Sequence, residues 1–221
     1  LAHANRDEYA DMLATCREME ELSARTQNRR YATLALLGQG AARIHLGDLA
    51  EAEAILDRAL HGLPPELGPL PEALAQGLAA WCAHRQGRHD RAEAMAHPVA
   101  DRIERVRWDM AELRHPLACV LEVYLVEGRH FRHEARIRWA LRRVHRIARA
   151  FPSVEPLAWR LAGRHEHLSG RPGRAIAWIE RSIRSAERLG ARYQEAIGQY
   201  WLGRVLLGQA GHREEARAHL R

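Results

Sequence analysis

The 221-residue chain contains no lysine, and all 34 of its basic residues are arginine. Together with the abundance of alanine, leucine and glycine, this bias indicates a GC-rich genome, so the number of arginines alone does not indicate an anion-binding protein. The absence of lysine also excludes a phosphate-binding loop of the Gly-Lys-Ser/Thr type, in which the lysine contacts the phosphates.

Long apolar runs, clustered cysteines and strand patterns are missing as well. No apolar run approaches the roughly 18 residues of a membrane span, and no secretory leader pattern is present. The three cysteines, Cys16, Cys82 and Cys119, are far apart in the sequence, which predicts reduced core residues in a cytoplasmic protein and not a disulfide framework. Aromatic residues make up 6% of the chain and no segment alternates polar and apolar residues, so we predict an all-α protein.

The dominant positive feature is a short phrase in which a glycine is followed by four residues and then an alanine. It occurs from Gly47, Gly87, Gly170 and Gly211, and a stretched copy with two extra residues begins at Gly128. Successive glycines lie between 40 residues (Gly47 to Gly87) and 42 residues (Gly128 to Gly170) apart. Because glycine ends a helix at positive φ and the flanking stretches are amphipathic, each phrase predicts a helix, a tight turn and a second helix.

The period predicts one domain, 1–221, formed as a right-handed α–α superhelix of about five helix pairs. A helix at 6–25 precedes the repeats as an orphan, and a loop with four prolines in ten residues follows the first repeat at 62–71. Pro98 is expected to kink or restart the second helix of repeat two. The missing initial methionine and the short last helix lead us to expect a fragment of a longer protein. The five repeats are predicted at about 28–61, 71–113, 115–150, 154–189 and 192–221.

The spacing of small residues resembles the tetratricopeptide repeat. The first repeat matches that motif at Gly40, Gly47, Ala52, Ala59 and Leu60. The fourth matches at Trp159, Gly163, Gly170 and Ala175, whereas repeats two and three match less well. The period exceeds the usual length of about 34 residues, and the period alone also fits a HEAT-like solenoid.

Residues 151–221 are similar to the C-terminal helical region of large bacterial signalling ATPases. These proteins include maltose-activator-type transcriptional regulators and ATPase-linked adenylate cyclases or protein kinases. The similarity includes the segments 151–163, 182–190, 193–196 and 202–204. It implies a non-catalytic scaffold that senses a ligand or protein partner and restrains an effector.

The resemblance also implies a groove formed by the first helix of each pair. Such a groove would change from apolar to basic along its length, which suits an extended and partly acidic peptide or contacts with other domains of the same chain. The apolar positions are Leu37, Ala41, Ile44 and Leu125. The polar and aromatic positions are Trp81, His84, Glu122, Arg160, Arg164, His167, Tyr200 and Arg204.

A second candidate surface is the basic segment 129–149, which contains eight arginines and one glutamate. Arg132, Arg136, Arg143 and Arg146 are predicted to share one helix face, which is either a solvated face or a binding surface for nucleic acid or another acidic polymer. Only Phe131 and Trp139 are available there for base stacking.

Catalytic and metal-binding patterns are absent. The pairs His130/His133 and His165/His167 lack the geometry of a metal motif, and no Gly-x-Ser-x-Gly elbow occurs. We therefore predict no enzyme activity, no metal and no cofactor. The tryptophans are expected to be core wedges between helices: Trp81, Trp108, Trp139, Trp159, Trp178 and Trp201.

Overall fold

The computed structural model describes residues 2–106, 110–209 and 213–220, and in these ranges the secondary structure is entirely helical. Short 3₁₀ segments occur at Pro65–Leu67, Ala111–Leu113, His130–His133 and Pro152–Val154. The α-helices are α1 (Ala2–Arg25), α2 (Arg29–Leu46), α3 (Leu49–His61), α4 (Pro69–Arg85), α5 (His89–Arg105), α6 (Arg114–Tyr124), α7 (Glu134–Ala150), α8 (Glu155–Leu168), α9 (Pro172–Arg188), α10 (Arg192–Leu207) and α11 (Arg213–Leu220). The predicted all-α class, with sequential helix pairs of the tetratricopeptide kind, is confirmed.

The glycines of the repeated phrase form the tight turns. Gly47, Gly87, Gly128 and Gly170 have φ between 71° and 91°, the left-handed region that a side chain disfavours. Backbone amides after α2 close its last turn, since Gly47 N–H donates to Arg43 O and Ile44 O. Asn28 caps the same helix at its start by accepting from Tyr31 N–H at 3.2 Å. The turn predicted at Gly211 lies outside the described residues.

The alanines of the phrase form the contact between paired helices. Ala52, Ala92, Ala175 and Ala216 are fully buried, as a close helix–helix contact requires. Ala135, from the stretched copy, is exposed instead. The two extra residues of that copy adopt part of the 3₁₀ segment at His130–His133, and so α7 begins only at Glu134.

Contacts between helices cluster into two units, one containing residues 2–106 and 115–123 and the other containing 110–114, 124–209 and 213–220. In the first unit, Leu37, Ile44, Leu56 and Leu78 belong to the core cluster. In the second unit, α9 and α10 contribute buried residues such as Ile179, Ile183, Leu202 and Val205. The prediction of a single domain stays a prediction.

Several element boundaries differ from the sequence prediction. The helix α5 continues through Pro98 to Arg105 without restarting. The helix α6 ends at Tyr124, so Leu125 lies after the helix and is buried. The helix α5 ends at Arg105, and residues 107–109, including Trp108, lie outside the described residues.

All three cysteines are free and buried, which confirms the prediction that they are core residues. Burial raises the pKa of the Cys82 thiol to about 11 and raises the pKa of Cys119 further, with nearby carboxylates as a second cause in both cases.

Candidate functional site

The predicted groove positions of the first unit include an aromatic row. The ring of Trp81 meets His45 edge-on with centroids 4.9 Å apart, and His45 stacks on Tyr9 at 4.0 Å. These residues belong to α4, α2 and α1, so the row crosses three helices. Trp81 is half-buried and leaves part of its surface exposed.

The apolar groove predicted in the first repeat is wrong. Leu37 and Ile44 are 2% and 0% exposed and lie in the core, with Ala41 packed against them. The physical reason is that α2 packs against α1, α3 and α4, so both of its sides are covered.

His84 and Glu122 are the remaining groove positions of this unit, and both are half-buried. His84 Nδ1 lies 3.2 Å from His89 Nδ1, which requires one of the two nitrogens to donate a proton to the other. The charge of Glu122 helps to raise the pKa of the neighbouring Cys119.

In the second unit, α8 and α10 bring four side chains close to Trp201. We call the five residues the Trp201 cluster: Arg164, His167, Tyr200, Trp201 and Arg204. The guanidinium carbons of Arg164 and Arg204 lie 4.3 Å and 5.5 Å from the Trp201 ring centroid, within cation–π range. Arg204 donates to the Tyr200 hydroxyl at 3.2 Å, and the Tyr200 and Trp201 rings are nearly perpendicular. Trp201 was predicted as a core wedge and not as a site residue, although its position between Tyr200 and Arg204 could have indicated a role in the site.

Burial separates the arginines of this unit into different classes. Arg160 and Arg164 are 5% and 4% exposed, whereas Arg204 is exposed. Arg164 Nη2 donates to the carbonyl of Leu125 at 3.2 Å, which holds α8 to the segment after α6. Arg164 therefore has a structural role. It connects α8 to the segment after α6 and packs against the Trp201 ring, next to the exposed residues of the cluster.

The polar edge of the cluster is His167. Burial lowers the pKa of this imidazole, and the charge of Arg204 lowers it further, while Glu127 acts in the opposite direction. His167 is therefore neutral near pH 7 and adds a hydrogen-bonding group without adding a second exposed charge.

The four arginines predicted to form one basic face do not lie together. Arg132 belongs to the 3₁₀ segment before α7, so α-helical spacing does not apply to it. Arg143 is only 5% exposed and lies within the unit, whereas Arg146 is exposed and Arg136 is half-buried. The prediction of one face is wrong because Arg132 precedes the helix and because Arg143 lies on the buried side of α7, beside Ala140 and Ile147.

The five described tryptophans that were predicted as core wedges are only half-buried: Trp81, Trp139, Trp159, Trp178 and Trp201. The last three also contact arginine side chains. Within the described ranges, no group of three or more metal-ligating side chains converges. Among the same residues, no helix has the length and apolarity that crossing a membrane requires.

No protein-family model matches the chain, and no curated protein matches it in sequence. Among solved structures, the chain is similar to BtubC (BKLC) from P. vanneervenii, with a TM-score of 0.64 and 16% sequence identity. The similarity covers 96% of this chain and 88% of that one. At this identity the likeness shows the fold alone, which is that of a tetratricopeptide-like helical repeat.

Proposed function

We propose that this chain is a non-catalytic interaction module that binds an acidic segment of a protein partner on the face formed by α8 and α10. The observation that supports this most strongly is the Trp201 cluster. There the exposed guanidinium of Arg204 lies over an aromatic ring and donates to Tyr200, which is itself 44% exposed.

This arrangement has the chemistry of a protein-binding hot spot. Tyrosine, tryptophan and arginine are the residues that contribute most often to such sites. The contact with Trp201 limits the rotamers of Arg204 before binding, which reduces the entropy lost when a carboxylate pairs with it. A partner carboxylate would accept from Arg204, while an apolar neighbour in the partner would pack on the Tyr200 ring.

The wider role follows from the resemblance of residues 151–221, which include α8, α9 and α10. We infer that the module belongs to a larger bacterial signalling or transcription-regulating ATPase, in which partner binding changes the restraint on an effector. The repeat fold is compatible with that role because it presents helix faces to a partner. Among the described residues, no group of metal-ligating side chains converges.

A peptide-binding experiment tests the proposal. Fluorescence anisotropy would compare a labelled glutamate-rich peptide with a lysine-rich one, using the native chain and the variants Arg204→Glu and Arg192→Glu. Both variants change the charge equally and both positions are exposed on α10, but only Arg204 belongs to the cluster. We expect Arg204→Glu to weaken binding of the acidic peptide by about tenfold or more, which corresponds to the loss of one charge-assisted hydrogen bond.

Equal weakening by both variants would show that the attraction depends only on net charge, and it would contradict the proposal. The same assay with a single-stranded oligonucleotide examines the alternative function, nucleic-acid binding through residues 129–149. Oligonucleotide binding that falls steeply with salt and is unaffected by Arg204→Glu would favour that alternative.

A further inference from the structure

A basic cleft lies between α7, α8 and α9, on a different set of side chains from the Trp201 cluster. The cleft is open to solvent, and its volume is about 870 Å³. This volume falls in the range of small-molecule sites, roughly 300–1,000 Å³.

The lining of this cleft, which we call the arginine cleft, is strongly cationic. Arg142, Arg146 and Arg149 line it from one face of α7, at spacings of four and three residues, and Arg181 lines it from α9. All four are exposed. Within the part of the chain that the structure describes, Arg142 and Arg149 form no ion pair. Arg142 and Arg149 therefore present positive charges to the cleft that no described carboxylate pairs with.

A single carboxylate, that of Glu155, lines the same cleft. It already accepts hydrogen bonds from Ser185 Oγ at 2.8 Å and from Arg188 Nη2 at 2.7 Å. Because Glu155 also pairs with Arg188, its single charge cannot neutralise all four arginines of the lining. The cleft consequently favours an anionic ligand.

The aromatic side chains of the cleft pack against one another. Trp159 and Trp178 are stacked with centroids 5.2 Å apart, and the Arg181 guanidinium lies 4.0 Å from the centre of the Trp159 ring. His145 lies 4.7 Å from the same ring. With these neighbours, Trp159 offers little free ring surface for a stacked base, which argues against recognition of single-stranded nucleic acid. The Trp159 ring instead holds the Arg181 guanidinium in place.

His145 supplies an unused polar atom. Its Nδ1 is buried and makes no hydrogen bond with any residue that the structure describes. Burial, with Arg149 and Arg181 nearby, lowers the pKa of this imidazole. The ring is therefore neutral near pH 7, and it can donate or accept one hydrogen bond according to its tautomer.

We propose that the arginine cleft binds a small phosphate-bearing molecule through Arg142, Arg146, Arg149 and Arg181. Arginine is suited to this ligand because its planar guanidinium donates two parallel hydrogen bonds to phosphate oxygens. The volume exceeds the needs of one phosphate group, so the remaining space would hold a second phosphate or the organic part of the ligand. This site is separate from the proposed protein-binding face and does not depend on it.

Isothermal titration calorimetry tests the proposal with two probes, inorganic pyrophosphate and a nucleoside diphosphate. The cleft variant is Arg142→Gln/Arg149→Gln. The matched control is Arg138→Gln/Arg184→Gln, which removes the same charge from exposed positions on α7 and α9 that do not line the cleft. Circular dichroism checks that each variant is folded, and the single variants Arg142→Gln and Arg149→Gln replace the pair if it does not fold.

We expect the native chain to bind at least one probe, and we expect the cleft variant to bind it about tenfold more weakly or worse. The control should stay within about twofold of the native chain, because distant exposed charges are screened. Tighter binding of the nucleoside diphosphate would show that the ligand is organic, and equal or tighter binding of pyrophosphate would show that the phosphates suffice.

Two results would overturn the proposal. One is the absence of binding by the native chain at millimolar probe, and the other is equal weakening by the cleft and control variants. The variant Arg204→Glu should bind the phosphate probes as the native chain does. Failure of the protein-binding proposal is thereby distinguishable from failure of this one.

Discussion

Replacing Gly163 with alanine tests the close packing of α8 against α9. A Cβ atom at Gly163 would lie 2.5 Å from Ile179 Cγ1 and 3.1 Å from the backbone oxygen of Ala175. Carbon atoms prefer separations of about 3.5–4.0 Å. Ile179 is fully buried and the Ala175 oxygen belongs to the backbone, so neither can move aside unless the two helices separate.

The expected change in stability is the difference between two opposing effects. Forcing an extra methyl group into a packed core costs about 1–3 kcal/mol. Alanine regains about 1 kcal/mol over glycine through its helix propensity. We therefore expect Gly163→Ala to lower the free energy of unfolding by about 1 kcal/mol, which for a chain of this size lowers the Tm by about 2–4 °C.

Gly173→Ala provides the matched control, since Gly173 lies in the first turn of α9 and a Cβ atom there would meet nothing within 4 Å. Here only the propensity gain remains, and we expect stabilisation of about 0.5–1 kcal/mol. Thermal unfolding followed by circular dichroism measures both variants. If both raise the Tm equally, the close approach of α8 and α9 does not exist. In an Ile179→Ala background, Gly163→Ala should lose part of its cost, because the contact with Ile179 Cγ1 is removed while that with the Ala175 oxygen remains.

Three further predictions concern buried polar groups. Burial raises the pKa values of Cys82 and Cys119, so both thiols should react with iodoacetamide far more slowly in the folded chain than in denaturant. Mass spectrometry measures both rates, and equal rates would contradict this prediction. Burial and nearby arginines lower the pKa of His145, so the folded state favours the neutral imidazole, and the stability of the chain should fall as the pH drops below the ordinary pKa of 6.5. The unfolding midpoint of His145→Gln should lose part of this pH dependence. In chemical denaturation, Arg164→Gln should destabilise the chain by about 2 kcal/mol and Arg204→Gln by no more than about 0.5 kcal/mol, because only Arg164 is buried and hydrogen-bonded to Leu125. The opposite order would contradict the structural role of Arg164.

The helix pairs could be predicted from the sequence because their information is local. A glycine at each turn, an alanine in the next helix and apolar residues at helical spacing suffice to place α2 with α3 and α8 with α9. The bounds of these four helices agree closely with the predicted repeats at 28–61 and 154–189. No contact between distant residues was needed for that inference.

The third repeat shows where local information fails. The two extra residues after Gly128 and the 3₁₀ segment at His130–His133 delay the start of α7 to Glu134. A helical wheel continued back through this segment wrongly places Arg132 on the helix. The burial of Arg143 is a separate error, because the side of α7 that carries it packs into the unit. The correct face contains Arg142, Arg146 and Arg149, and their spacing alone could have indicated it.

The partners of the arginines could not be predicted, because they come from other helices. Arg181 of α9 reaches the Trp159 ring of α8, and Arg164 of α8 reaches the Trp201 ring of α10. Sequence separations of 22 and 37 residues conceal both contacts. Only the packing of α8 between its neighbours brings each guanidinium to its ring.

A chain without lysine must use arginine both to hold helices together and to bind ligands. Burial distinguishes the two uses, since Arg164 is 4% exposed whereas Arg204 and Arg149 are exposed. The helix α8 contributes to both proposed surfaces, through Trp159 at the arginine cleft and Arg164 at the Trp201 cluster. A variant that shifts α8, such as Gly163→Ala, should therefore weaken binding at both surfaces, whereas Arg204→Glu should affect only one. That contrast separates a change in the scaffold from the loss of a single binding contact.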